Sequence, residues 1–364
     1  MFIRIEKAPE PTPVKVIGVF ILALTAALLV AGGLFSVYGL NPLQNLGIVW
    51  QRTFGNSHGW SEIVRHATPL MVVGLGMLAG GRAQFWNLGA EGQMLVAAIT
   101  ASGIALFVDL PAPLVLPVMF LLGGLAAGLW ALIPCLLKAK LGISEIITGL
   151  MMNYVAANLV DWLIQGPWRG AATMGYSYTD TFPKYAWLPL IPSTRVHWPT
   201  TVCGIALAIT LHFLLFHTRL GFNIRVLGEN PIAGRYVGLR AVRIFFWVGV
   251  LAGGMAGVAG VGEVAGVHHK LLAPQQITLG YGFASVIVAL LARGEPLYVL
   301  GSSLLLGMIL ASSDVITVVL HLPAAVTNIF TGLILYFVVS ADFFLHYRVR
   351  FERRYRRELE TANC

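Results

Sequence analysis

The chain has 364 residues, 57% of them apolar and 11% charged, where a soluble domain would carry about 25% charged residues. That balance excludes an ordinary soluble globule and implies a polytopic membrane protein. The formal net charge of +8 would suggest a nucleic-acid binder in a soluble chain, but the placement of the basic residues excludes it here.

With about 20 residues needed per crossing, spans are predicted near 16–37, 66–81, 92–108, 112–137, 145–165, 199–216, 244–263, 274–292, 297–316 and 324–345. Arg4, Lys7 and Lys15 precede the first run, which is read as a spanning helix because it is long and lacks a cleavage site. Ten crossings leave only Arg52, Arg65, Arg169, Lys184, Arg195 and Lys270 outside, and put the rest of the 24 Lys and Arg inside. This bias predicts that both termini are cytoplasmic. The expected fold is therefore all-α, with about ten transmembrane helices in two halves of five, about 1–165 and 199–345. An extracytoplasmic loop, 166–198, joins the halves, and a basic cytoplasmic tail, 346–364, follows. The cluster Arg348–Arg357 is placed to meet anionic lipid headgroups.

Between the second and third spans lies Asn87-Leu88-Gly89-Ala90-Glu91-Gly92-Gln93. A carboxylate, carboxamides and glycines at membrane depth are tolerated only where protein or a water-filled cavity surrounds them, and an ionisable residue there points to function. Asn87, Glu91 and Gln93 are candidates for lining a polar route. The other reading is that Asn87 caps the following helix and Glu91 sits at its positive end; the two are compatible. Leu88-Gly89 before Gln93 to Ala98 is echoed by Leu279-Gly280 before Ala284 to Ala289. With five crossings per half the second copy would be inverted, as in transporters that build a path at the midplane. The pairs Gly76/Gly80, Gly124/Gly128, Gly253/Gly257 and Gly262/Gly266 predict close helix packing.

The fifth span carries Asn153, Tyr154, Asn158 and Asp161 at spacings expected to form one polar stripe, of which Asn153 lies deepest. The 166–198 loop, rich in Pro, Trp and Tyr, is either an interfacial aromatic belt or a docking face for an extracytoplasmic partner. The longest inner connection runs from Leu220 to Arg243. Within it Asn230 before Pro231 predicts a capped helix start and Gly238 its stop, so Gly228, Asn230, Ala233, Arg235, Tyr236 and Gly238 form a candidate docking element. Glu263 beside His268, His269 and Lys270 invites a metal or proton-relay reading, but an outer surface loop accounts for them more simply. No metal site is predicted. The glycines from Gly253 to Gly262 follow no strand, and no lysine is preceded by glycine, so neither nucleotide-binding motif is present. Energy from ATP would have to come from a separate subunit.

At these residues the chain resembles the permease subunits of bacterial ATP-binding-cassette importers, in the nucleoside and simple-sugar branch related to the branched-chain amino acid permeases. The pieces that carry the resemblance are Asn87-x-Gly89-x-Glu91-Gly92-Gln93; Glu145 with Asn153-Tyr154; Gly228-Glu229-Asn230-Pro231 with Ala233, Arg235, Tyr236 and Gly238; and Gly280-Tyr281-Gly282-Phe283 leading to Val288-Ala289-Leu290-Leu291. Gly234 and Arg293-Gly294-Glu295-Pro296 depart from the family pattern. The resemblance implies a second permease subunit, cytoplasmic ATPase domains that hold the ATP, an extracytoplasmic substrate-binding lipoprotein and a bacterial inner-membrane location. It makes the 228–238 helix the coupling helix. This chain is then expected to be no enzyme and to bind no cofactor itself. Its path would be lined by the 87–93 break, Asn153 and Phe283 and would work by alternating access. Carboxamides that both donate and accept, with Phe85, Trp86 or Phe283 to stack on a ring, suit a nucleoside first and a pentose or related sugar second. The rival is an ion-gradient carrier that uses Glu91 or Glu263 as its proton carrier.

Overall fold

The structure is a computed structural model that describes residues 2–7, 13–39, 41–171, 175–319 and 322–352. In chain order its elements are β1 (Phe2–Lys7), α1 (Pro13–Val37), α2 (Pro42–Phe54), α3 (Ser57–Gly81), α4 (Ala90–Phe107), α5 (Ala112–Leu141), α6 (Glu145–Gln165), α7 (Trp198–His217), α8 (Arg219–Glu229), α9 (Pro231–Tyr236) and α10 (Ala241–Glu263). A π-turn, Val264–His268, follows; then come α11 (Pro274–Thr278), α12 (Tyr281–Leu291), α13 (Tyr298–Val319), α14 (Ala324–His346) and β2 (Tyr347–Glu352). Nine of the ten predicted spans each fall on one helix, and the eighth falls on two, α11 and α12. Among the described residues eight helical segments are long and apolar enough to cross a membrane, and α14 adds a shorter apolar stretch, Ala325–Ala341.

The chain divides into two compact units, residues 1–52 with 312–364 and residues 53–311. In the first, β1 and β2 pair antiparallel, Phe2 opposite Glu352 and Lys7 opposite Tyr347, so the two ends of the chain lie side by side. Helical periodicity gives no sign of this ribbon. α1 packs on α14, with Phe35 stacked on Phe330 at 5.9 Å. Of the predicted tail, residues 353–364 lie outside the described residues.

The second unit is a bundle whose helices meet through small residues. α10 runs antiparallel to α5. A side chain at Gly253 would stand 2.9 Å from Gly128 Cα, and one at Gly257 would stand 2.9 Å from Gly124 Cα, so the predicted pairs Gly124/Gly128 and Gly253/Gly257 are where these two backbones touch, whereas Gly262 and Gly266 face the side chains of Thr200 and His197. α3 and α12 run in the same direction. His66 meets Tyr281, Gly74 meets Val288 and Arg82 meets Gly294. The second and eighth of ten alternating crossings should share a direction in this way.

Three elements differ from expectation. α3 begins at Ser57 and so draws Glu62 and Arg65 into the bundle; Arg65, expected in an outer loop, is buried. Pairing explains it, because Arg65 Nε lies 2.6 Å from Glu62 Oε2 one turn away. The eighth span is two helices, α11 and α12, separated by Leu279 and Gly280, both at positive φ. The described part of the 166–198 loop is packed against the segment after α10 rather than hanging free. Phe182 N donates to His269 O at 2.7 Å and Leu188 N to Ala265 O at 2.9 Å, and Trp187 stacks on His269 at 4.0 Å.

Candidate functional site

The break between α3 and α4 is irregular from Arg82 to Gly89, and Gln84 takes φ 56°. Irregular backbone in an apolar bundle must find partners for its peptide groups, and side chains from other helices supply them. Asn153 on α6 does part of this. Its Oδ1 accepts from Gly92 N at 2.8 Å and its Nδ2 donates to Leu88 O at 2.8 Å. One carboxamide thus satisfies an orphan amide in the first turn of α4 and a carbonyl of the break. One turn earlier, a side chain at Gly149 would stand 2.9 Å from Gly89 N, so α6 lies against the break only because this position is glycine.

Asn87 and Gln93 face each other. Asn87 Nδ2 donates to Gln93 Oε1 at 2.8 Å, and Gln93 Nε2 donates to Asn87 Oδ1 at 2.7 Å. Both are buried. Asn87 therefore does not cap α4, whose N-cap is Gly89 with no side-chain hydrogen bond.

Glu91 reaches across to α12. Its Oε1 accepts from Gly282 N at 2.7 Å and Phe283 N at 3.4 Å, so a carboxylate from one broken region caps the positive N-terminus of the other. Gly282 is required there, since a Cβ would stand 2.7 Å from Glu91 N and 2.8 Å from Glu91 Oε1. The two Leu-Gly openings that echo each other in sequence are thus brought together. α12 has 11 residues and rises about 16 Å, roughly half a hydrocarbon core of about 30 Å, so it is too short to cross a bilayer by itself. Phe283, whose amide joins this junction, is 48% exposed.

The other end of the break is clamped by charge. Lys138 Nζ lies 2.6 Å from Glu145 Oε1 and also donates to Gln84 O, while Trp86 N donates to Glu145 at 3.3 Å. Arg82 Nε and Nη2 donate to Gly294 O at 3.0 and 2.7 Å. The α8 terminus presses here too, because any side chain at Gly228 would overlap the Arg82 carbonyl.

Gly228 leads into α9, where Asn230 Oδ1 accepts from Ile232 N and Ala233 N, both at 3.0 Å, and Gly238 takes φ 78°. The predicted cap and stop are therefore present. Ile232, Tyr236 and Val237 are strongly exposed; the Arg235 side chain lies outside the described residues.

Other sequence candidates separate. Tyr154 is 67% exposed and Asn158 Nδ2 turns back to Tyr154 O at 2.8 Å, so the polar stripe on α6 reduces inward to Asn153. Phe85 is fully buried and packs on Phe245 at 6.4 Å, which removes it as a stacking surface. Glu263, expected at an outer loop, is buried at 0% exposure with neither oxygen hydrogen-bonded and His268 Nε2 3.9 Å away. Sequence reasoning also missed the roles of Gly149 and Lys138; for Gly149 a small residue facing a glycine-rich break was the available signal, and for Lys138 there was none.

The family model described as branched-chain amino acid transport system / permease component matches residues 59–339. The chain is 32% identical over 350 residues to the glucose ABC transporter permease protein of Haloferax volcanii, covering 93% of this chain and 91% of that one. It is 28% identical over 334 residues to the guanosine ABC transporter permease protein of Bacillus subtilis, 89% of this chain and 92% of that one. To the nucleoside ABC transporter permease protein of Lactococcus lactis it is 26% identical over 330 residues, 87% and 89%.

Proposed function

Because the chain belongs to the family of branched-chain amino acid transport system permease components, we propose that it is the membrane permease of an ATP-driven importer that moves a small polar solute, a nucleoside first, by alternating access. The ATP is bound and hydrolysed by a separate cytoplasmic subunit. A second permease subunit and an extracytoplasmic binding lipoprotein complete the assembly in a bacterial inner membrane. Ten crossings in two inverted halves, with both termini cytoplasmic, are part of the same reading; the paired chain ends support an even number.

The observation that carries the proposal is the Glu91 cap on α12. It joins two broken helices through hydrogen bonds that can be traded for others, while the far end of the same break is held by Arg82, against which the docking element presses at Gly228. ATP-driven movement of a partner seated on α9 would shift Arg82 and the break, open the junction, and turn Asn87, Glu91, Gln93 and Asn153 toward a path beside Phe283. The residues to be exposed are carboxamides, one carboxylate and one aromatic face, which suit a neutral ring bearing donors and acceptors.

A sugar is the second reading, favoured by the identity to the glucose permease. Competition decides between them. In vesicles holding the assembled importer and ATP, excess unlabelled nucleoside should abolish uptake of labelled nucleoside while glucose and ribose leave it intact. Sugar uptake that nucleosides do not compete would assign the sugar.

A further inference from the structure

The cap that Glu91 places on α12 has a second anchor, and it uses the buried ionic cluster that the transport path leaves unassigned. Tyr281, the first residue of α12, is fully buried, and its hydroxyl lies 2.7 Å from His66 Nδ1. The other ring nitrogen, His66 Nε2, lies 2.7 Å from Arg65 Nη2, and Arg65 Nε lies 2.6 Å from Glu62 Oε2. A guanidinium only donates, so Nε2 of His66 accepts. The ring proton is then on Nδ1, which donates to the Tyr281 oxygen. Each link fixes the next: Glu62 orients Arg65, Arg65 selects the His66 tautomer, and that tautomer holds Tyr281.

The hydroxyl of Tyr281 is therefore tied to α3, while the amides of the next two residues, Gly282 and Phe283, are tied to Glu91 on α4. The start of α12 is suspended between two helices by polar contacts at both sides. Those two amides belong to the first turn, which has no intrahelical acceptor, so the Glu91 carboxylate is what protects them.

We propose that His66 and Tyr281 are positioning residues for the Glu91 junction: the Glu62–Arg65–His66–Tyr281 chain sets where the N-terminus of α12 meets Glu91, and so sets the balance between the joined and opened arrangements of the break. The inference rests on the transport reading for its consequence, but its geometry is testable without transport. Glu91 is the group next to the moving path, and His66 and Tyr281 act through it.

Amide hydrogen exchange on the purified, fully assembled importer tests it, together with uptake and ATP hydrolysis in vesicles. Tyr281→Phe removes one oxygen and keeps the ring. It should raise exchange at Gly282 and Phe283 about tenfold, the factor that accompanies loss of one buried hydrogen bond, and lower solute moved per ATP by a similar factor. His66→Ala should do the same, whereas His66→Asn, which keeps an N–H close to the Nδ1 position, should restore both. The Gly92 amide, held by Asn153, should not change. Unaltered protection at Gly282 and Phe283 in Tyr281→Phe would overturn the proposal, and so would an equal rise at Gly92, which would mean general loosening. Variants whose amides respond as described, in an importer whose wild-type form moves no solute with ATP, would refute the transport reading and leave the anchor standing.

Discussion

Glu91 occupies the first turn of its own helix yet spends its hydrogen bonds on another, 191 positions away in sequence. That its carboxylate would need protein around it was legible from the apolar runs on either side, and it is buried; that its partner is Gly282 was not, because the contact is made only by tertiary packing. Asn153 shows the same division. Its depth in an apolar span marked it, while the pairing with Gly92 and Leu88 could be read only from the fold. Charged residues misled: Arg65 and Glu263 were assigned to the surface because an isolated charge belongs there. Arg65 is instead held by Glu62 and His66. Replacing Glu91 by Gln keeps an oxygen to accept but loses the charge, and a charge-assisted bond is roughly twice as strong as a neutral one. Uptake should fall about tenfold, a difference of about 1.4 kcal/mol, with subunit assembly intact on co-purification. A loss of assembly in step with uptake would assign Glu91 a purely structural role.

At the scale of elements, the long apolar helices were legible because length and hydropathy suffice for them. α2 and α8 were not, since both are amphipathic and carry charges that hide them from a search for apolar runs. α9 was legible for a different reason, as Asn230, Pro231 and Gly238 are residues that local backbone chemistry demands at a start and a stop. A six-residue helix that exposes Ile232 and Tyr236 is stabilised more by what it docks into than by itself. Removing both side chains, Ile232→Ala with Tyr236→Ala, should reduce recovery of the ATPase subunit in pull-down at least tenfold, or leave it bound while hydrolysis no longer drives uptake. The uptake of any assembled fraction should fall as well. Normal recovery with normal coupling would show that α9 is only surface.

At the scale of the whole molecule, composition alone assigned the chain to the membrane, while apolar runs predicted ten crossings and the placement of basic residues was consistent with that number. Relative directions inside the 53–311 unit agree with that count, since α3 and α12 run together while α5 and α10 run opposed. The pairing of β1 with β2 escaped the sequence because two short polar strands at opposite ends of a chain show no periodic signal. Nothing in the sequence carries a nucleotide-binding loop, and the family to which the chain belongs works as one part of a larger machine. The most direct measurement is solute uptake into sealed vesicles containing this chain with and without its ATPase partner. Uptake should require the partner and internal ATP, and should persist when a protonophore collapses the ion gradients at constant ATP. Transport by the chain alone, or transport lost to the protonophore while ATP is held, would contradict the account.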